Sequence, residues 1–241
     1  MTAPTAPGRA LALAPWVLAV LGMVSLVGYG IAQYPSMPAR LPTHVDAAGR
    51  ADAWQDKSHA VVFGPLLIGI AIVAGLGVVA AVLPAIMKAP KDASEWAHFR
   101  TAVMRRALTG MLGFITAALV VLFAYISLST WAARSETHNW PIAVFFLVVL
   151  ASFWPLIRVN AWAERAAGAA GVRRTADDIA DDARWTPSGL YHGDKGDPLF
   201  VPKRTGYGAG VTLNVGHPAA KYLLIGLAIL MALPLALMFL L

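Results

Sequence analysis

The stretch that decides the fold reads AVVFGPLLIGIAIVAGLGVVAAVLPAIM and occupies Ala60–Met87. It contains no Asp, Glu, Lys, Arg or His. A helix of about 20 apolar residues crosses ~30 Å of hydrocarbon, whereas a soluble core helix needs fewer. Because lipid offers no hydrogen-bond partners, the backbone of such a run must satisfy itself as a helix. The run therefore predicts a transmembrane helix.

Four further uncharged apolar runs flank this one and have similar lengths. The composition agrees, since 58% of the residues are hydrophobic and 13% are charged. The sequence therefore predicts an all-α integral membrane protein with five transmembrane helices. The four further runs are Leu11–Gln33, Ala107–Trp131, Pro141–Ile157 and Tyr222–Leu241.

These runs give the predicted domain organisation. A short tail precedes a four-helix membrane region, and a helix with a small β module precedes the fifth transmembrane helix. The predicted segments are 1–10 for the tail, 11–158 for the membrane region with its loop 34–59, 159–220 for the module and 221–241 for the last helix.

Lys and Arg are distributed unevenly among the gaps. Fifteen lie in the tail, in residues 88–106 and in or beside residues 159–220. Four lie in residues 34–59 and in the loop between Trp131 and Pro141. Cytoplasmic loops of membrane proteins are enriched in these residues. We therefore predict a bacterial plasma-membrane protein with a cytoplasmic N-terminus, an extracytoplasmic 34–59 loop and an extracytoplasmic C-terminus. The net charge of +6 has the same origin, so no nucleic-acid partner is predicted.

A cleaved signal peptide is the alternative for the first run. Gly30 and Ala32 form a small-residue pair that fits a cleavage site. The apolar stretch is longer than a signal peptide usually has, and only Arg9 precedes it, so we expect an uncleaved helix. The chain has no Cys, which excludes disulfides and thiolate chemistry.

The loop 34–59 reads YPSMPARLPTHVDAAGRADAWQDKSH. Its prolines forbid a regular helix at the start and favour an extended chain along the membrane surface. Asp46-Ala-Ala-Gly49 predicts a turn in which Gly supplies a positive φ. A His, carboxylates and a Trp converge in this short loop. The predicted ligand-binding residues are His44, Asp46, Gly49, Asp52, Trp54 and Lys57.

Three other interpretations apply to these residues. A purely structural loop would cap the helix bundle, with Trp54 at the membrane interface. His44, Asp46 and Asp52 have the chemistry of zinc ligands, and whether they hold a metal stays open, although no metal or cofactor is predicted. A His and a carboxylate can also act as acid and base. No nucleophile with a plausible base accompanies them, so we predict no catalytic residue and no enzyme.

The stretch Leu41–Lys57 carries a family resemblance. Its Pro, His, Gly, Asp, Trp and Lys resemble in spacing the loop of an uncharacterised bacterial membrane domain in proteins similar to the SdpI-type immunity and signalling family. Val45 replaces the usual aromatic residue, and Asp46 stands where Asn is common. The resemblance implies a protein that senses or neutralises a peptide toxin and signals to a cytoplasmic protein.

The long connection after the fourth run has three parts. Arg158–Arg174 continues the fourth helix, and Thr175 caps a short helix with Asp177 and Asp178 near its N-terminus. Three short strands with Gly-rich turns then predict a small antiparallel sheet within Trp185–Val215. Its predicted apolar face consists of Tyr191, Phe200, Val211, Leu213 and Val215.

This connection also resembles a second uncharacterised module over Trp185–Pro218, a resemblance that implies no reaction. Lys203 and Arg204 are predicted to contact anionic lipid head groups. The glycines at 206, 208 and 210 do not predict a nucleotide site, because a strand follows them instead of a helix.

Two main classes of function remain. The first is a sensor or immunity protein whose outer loop meets a peptide toxin or an envelope component. The alternative is a subunit of a transporter or channel, although such proteins usually place ionisable groups within the bilayer and these runs have none. Ala71-x-x-x-Gly75 would allow the close helix packing of a homo-oligomer. A membrane enzyme is the third possibility.

Overall fold

A computed structural model describes residues 8–186, 189–204, 206–208 and 210–240. The fold is mostly helical, with two small sheets. The helices are α1 (Arg9–Gln33), α2 (His59–Ile86), α3 (Glu95–Trp131), α4 (Trp140–Ser152), α5 (Trp154–Ile157), α6 (Val159–Ala170), α7 (Ala176–Asp182) and α8 (Ala220–Leu240). The strands are β1 (Arg40–Val45), β2 (Ala51–Asp56), β3 (Phe200–Pro202) and β4 (Val211–Leu213).

Four helical segments in the described residues are long and apolar enough to cross a membrane. They are 9–36, 59–86, 95–131 and 140–157. The prediction of a mostly helical membrane protein is thereby confirmed. The predicted fifth span corresponds to α8, which is apolar over Ala220–Leu230. The count of five stays a prediction, since this apolar stretch is shorter than the other four segments. Leu241 and residues 1–7 of the predicted tail lie outside the described residues.

The fourth predicted helix does not continue unbroken to Arg174. It is interrupted after Ser152 and resumes as the single turn α5, where Pro155 lacks the N–H that a continuous helix would need. A separate helix, α6, follows and ends at Gly171, whose φ of 75° is left-handed. Such a residue satisfies the last carbonyls and stops a helix.

The chain divides into two compact units. The first, here the hairpin unit, comprises residues 13–79, 112–152 and 235–240. The second, here the aspartate unit, comprises the described residues of 8–12, 80–111 and 153–234.

The hairpin unit contains an antiparallel pair of strands where an extended surface loop was expected. β1 and β2 pair from Arg40 opposite Asp56 to Val45 opposite Ala51, with irregular register on both sides of His44. The hairpin is anchored because Leu41 is fully buried in an apolar core. That core also contains Met37, Leu66, Val120 and Trp131, and the Trp131 indole donates to the Val62 carbonyl at 3.0 Å.

The small sheet of the aspartate unit has two strands instead of the predicted three. β3 and β4 are antiparallel, with Phe200 opposite Leu213. Tyr191 joins only through single bridges, one of them to Asn214. Leu213 is buried, whereas Phe200 and Val211 are 51% and 59% exposed, so the predicted apolar face is not one buried surface.

Candidate functional site

The β1–β2 hairpin carries the predicted ligand-binding residues. His44 Nδ1 and Asp52 Oδ1 lie 2.6 Å apart, and their side chains are 66% and 49% exposed. A carboxylate accepts hydrogen bonds, so we assign Nδ1 of His44 as the donor of this one. This hydrogen bond orients the ring and directs Nε2 away from Asp52. The hairpin therefore presents one oriented imidazole at its surface.

The turn of the hairpin is fixed to the segment Ser135–Asn139. Gly49 has a φ of 80°, as predicted, and its carbonyl accepts from the Thr137 N–H at 2.7 Å. A Cβ at this position would collide with the Thr137 carbonyl. The Asn139 amide also donates to the Ala47 carbonyl at 2.7 Å. Gly49 is thus required by both its backbone conformation and its packing.

Asp46 organises the same turn. Its Oδ1 accepts from the Arg50 N–H at 2.8 Å, and its Oδ2 lies 3.0 Å from Arg50 Nη2. The backbone hydrogen bond from Arg50 is the main reason that the pKa of Asp46 lies below its usual value, with the Arg50 charge adding to it. These contacts of Asp46 with Arg50 therefore lie within the turn.

Lys57 and Trp54 also make structural contacts. Lys57 Nζ donates to the carbonyls of Met37 at 2.9 Å and Tyr34 at 3.2 Å, and lies 5.3 Å from the centre of the Tyr34 ring. It thereby closes the turn that follows α1. Trp54 is half-buried and stands opposite Pro42 across the two strands. The predicted single cluster thus separates into the His44–Asp52 pair and residues that shape the hairpin.

A cleft of about 550 Å³ opens beside this pair within the hairpin unit. Such a volume lies in the range of small-molecule sites. Its walls come from the two strands of the hairpin, the start of α2, the end of α3, the segment after α3 and the start of α4. The lining residues are Pro42, Thr43, His44, Val45, Gln55, Ala60, Val61, Gly64, Pro65, Ile68, Tyr125, Ile126, Ser129, Thr130, Thr137, His138, Asn139 and Ile142.

The cleft combines an apolar wall with hydrogen-bonding groups. The apolar wall consists mainly of α2 side chains with Ile126 and Ile142, and His44 and Asn139 supply polar groups. The Tyr125 hydroxyl is held by a hydrogen bond from the His138 N–H at 2.8 Å and donates to the His138 carbonyl at 3.1 Å. Tyr125, Thr137, His138 and Asn139 could not be identified from sequence, because they lie far from the hairpin along the chain.

Metal binding would need more ligands than the pair supplies. Within the described part of the chain, no group of three or more His, Asp or Glu side chains could hold a metal ion. The arrangement at the hairpin can instead orient a ligand by hydrogen bonds from the imidazole while the apolar wall contacts its hydrophobic part.

A second polar cluster lies in the aspartate unit, at the end of α7. Asp181 and Asp182 accept from two buried arginines: Arg100 Nη1 lies 2.6 Å from Asp182, and Arg204 Nη2 lies 2.6 Å from Asp181. Arg204 also contacts Asp182. The Trp96 indole donates to Asp182 at 3.0 Å. Sequence reasoning missed this cluster, because Arg100 and Asp182 are 82 residues apart.

The prediction that Arg204 contacts lipid head groups is therefore corrected. Arg204 is 3% exposed, and its guanidinium is used by the two aspartates. Its neighbour Lys203 is exposed, so a head-group contact of Lys203 stays a prediction.

The start of α7 confirms the predicted helix cap. Thr175 is the N-cap, and it forms a capping box with Asp178 in which each residue satisfies the backbone N–H of the other. Ser94 donates to Asp178 at 2.6 Å and so ties α7 to the start of α3. Burial raises the pKa of Asp178, but the hydrogen bonds from Ser94 and Thr175 outweigh it, and the net pKa is lowered.

The helices define the general class of protein. Four segments have spanning length, and large apolar side chains cover their outer surfaces, for example Leu18, Leu67 and Leu147, which are 64–67% exposed. A water-soluble monomer rarely exposes contiguous apolar surface of this kind. The chain is a multi-pass membrane protein.

A family match falls on the candidate site. The model of a domain of unknown function, DUF1648, matches residues 21–69. These residues include the last part of α1, the whole hairpin and the first part of α2. The comparison with curated proteins gives no match, and neither does the comparison with solved structures.

Proposed function

We propose that this chain is a sensor or immunity-type protein of the bacterial plasma membrane, and that its outer hairpin receives a peptide toxin or another amphipathic envelope component. The cleft of about 550 Å³ beside His44 is the observation that carries this proposal. The resemblance of Leu41–Lys57 to the SdpI-type family supports the same function.

The chemistry of the cleft favours a ligand with an apolar part and a polar part. Its α2 and α3 side chains would contact an apolar side chain or an acyl chain. His44, with Nδ1 engaged by Asp52, has Nε2 left to donate to or accept from the polar part. Asp52 is then a positioning residue, since it acts through the ring of His44.

The walls of the cleft are restrained by hydrogen bonds. The turn is held by Thr137 at Gly49, and the segment after α3 is held by Tyr125 at His138. Preorganised walls lower the ordering cost of binding. A structural cap would need the turn contacts but would not need the oriented, exposed imidazole.

The charge asymmetry supports the proposed orientation. The four Lys and Arg residues assigned to the outside include three in the hairpin region, whereas residues 88–106 alone contain five. This asymmetry favours an orientation with residues 34–59 outside the cell and residues 88–106 inside. A cytoplasmic partner would then meet residues 159–220, and the chain would act by binding instead of as an enzyme.

The test begins with deletion of the gene and a screen of the strain for sensitivity to peptide toxins and envelope stress. We expect the intact gene on a plasmid to restore resistance, and the His44→Ala and Asp52→Asn variants to fail at normal abundance in the membrane. The Asp52→Asn change keeps the shape but loses the charged acceptor of the imidazole hydrogen bond.

The matched control is Arg40→Ala. Arg40 lies in the same strand and approaches Asp56 at 3.8 Å, but it does not line the cleft. This variant should restore resistance fully. Full resistance with both His44→Ala and Asp52→Asn would show that the hairpin is only a cap, and the proposal would be abandoned.

A further inference from the structure

A small cavity in the aspartate unit is lined by three basic side chains. Its volume is about 190 Å³. At about 30 Å³ for each water of the liquid, it has room for roughly six waters, and hence for a phosphate group. The lining residues are Met87, Lys88, Ala89, His98, Thr101 and Arg105, and no carboxylate is among them.

The basic residues converge because of helix geometry. His98, Thr101 and Arg105 are three and four residues apart in α3 and therefore share one face. Lys88 reaches the same cavity from the segment that follows α2.

These basic residues differ from the arginines of the aspartate cluster. Arg100 and Arg204 are paired with Asp181 and Asp182. Across the described residues, no ion pair within 4.0 Å joins Lys88, His98 or Arg105 to a carboxylate. Like charges that converge without a counter-ion repel one another, and an anion between them relieves the repulsion.

Thr101 adds a hydrogen-bonding group to the cavity lining. It is 2% exposed, and its hydroxyl has no hydrogen-bond partner among the described residues. Buried polar groups nearly always have a partner, and exceptions require an explanation. An anion in the cavity that Thr101 lines would supply the missing acceptor.

The sequence places this cavity at the polar boundary of the membrane. Lys88 is the first residue after the uncharged run Ala60–Met87, and Arg105 comes two residues before the uncharged run Ala107–Trp131. Lipid phosphates occupy the boundary where such runs leave the hydrocarbon. Basic pockets between transmembrane helices on the cytoplasmic side are suited to anionic head groups.

We propose that this cavity binds the phosphate group of an anionic membrane lipid. Lys88 and Arg105 pair with the phosphate oxygens, and His98 and Thr101 donate hydrogen bonds to them. The head-group contact predicted for Arg204 is thus replaced by a site formed by α3 and the segment after α2.

The experiment measures lipid retention by native mass spectrometry on the full chain in detergent. The probes are dihexanoyl phosphatidylglycerol, dihexanoyl phosphatidylcholine and inorganic phosphate. We expect one phosphatidylglycerol to be retained in preference to phosphatidylcholine. Lys88→Gln and Arg105→Gln should each weaken its binding about fivefold, the effect of one basic residue near anionic lipid.

The control is Lys91→Gln, which removes an exposed charge from the same segment without touching the cavity. It should leave retention unchanged. Equal losses for Lys88→Gln and Lys91→Gln, or equal retention of the two lipids, would overturn the proposal. Displacement of phosphatidylglycerol by an equal concentration of inorganic phosphate would assign the cavity to a free anion. That result would also overturn the proposal of a lipid ligand.

Discussion

In both the hairpin and the aspartate cluster, an aspartate holds a basic side chain, but the two pairs serve different purposes. At the hairpin, Asp52 holds a His44 ring that remains 66% exposed. In the cluster, Asp182 is 16% exposed and holds an Arg100 that is 4% exposed. An exposed pair contributes little to stability but can contact a ligand. A buried pair is costly to break and cannot contact a ligand. The comparison teaches that burial distinguishes a candidate binding group from a structural one.

The largest expected effect follows from breaking the buried cluster. Arg204→Met should lower the free energy of unfolding by about 3 kcal/mol, because it leaves Asp181 and Asp182 with too few partners. The measurement is a denaturant titration of the purified protein in detergent. Arg40→Met, which removes an exposed pair, should change the value by less than about 1 kcal/mol. Equal effects of the two substitutions would remove the distinction between the regions.

The next effect concerns the turn of the hairpin. Gly49→Ala should cost about 1–3 kcal/mol for the left-handed backbone alone, and the collision with the Thr137 carbonyl adds to that cost. The same titration measures it, with Ala48→Gly in the same turn as the control. A Gly49→Ala variant as stable as wild type would show that the turn is not docked on Thr137.

A pH dependence should come from Asp178. Its folded pKa is lowered, so its contribution to stability is complete above the unfolded value of about 3.9 and is lost as pH falls through the folded pKa. Thermal unfolding between pH 6 and pH 3 should show a smaller loss of stability for Asp178→Asn than for wild type. Identical pH profiles of the two proteins would mean that the Ser94 and Thr175 hydrogen bonds do not favour the ionised over the protonated form of Asp178.

The smallest expected effect on stability belongs to the exposed pair. Asp52→Asn should change the free energy of unfolding by less than about 1 kcal/mol, since both partners are well exposed. A loss as large as that of Arg204→Met would make the His44–Asp52 pair structural, and its role in ligand binding would lose its basis.

The sequence predicted the features that depend on local patterns. Long uncharged runs predicted the spans, Thr175 with Asp178 predicted a helix cap, and Gly49 predicted a left-handed turn. The pairing of β1 with β2 was missed because Pro35, Pro38 and Pro42 favour an extended chain along the membrane surface. In addition, the register is uneven around His44. The irregularity removes the strict alternation by which a strand is recognised.

The remaining features depend on residues that are distant in the chain. Thr137 and Gly49 are 88 residues apart, and Ser94 and Asp178 are 84 apart. No spacing rule connects such pairs. The sequence predicts a head-group contact for Arg204 from the attraction of its charge to anionic lipid. Asp181 and Asp182, which lie more than 20 residues away, instead provide the partners that allow its burial.

Cysteine labelling tests most directly whether the cleft beside His44 opens to the outside of the cell. The chain has no Cys, so each introduced thiol is unique. Thr43→Cys lies in the cleft wall, and Lys91→Cys lies in the segment assigned to the cytoplasm; both positions are exposed. With a membrane-impermeant maleimide on intact cells, we predict labelling of the Thr43→Cys variant, and labelling of the Lys91→Cys variant only after the membrane is opened. Labelling of Lys91→Cys with protection of Thr43→Cys would reverse the orientation and contradict the proposed outer binding site.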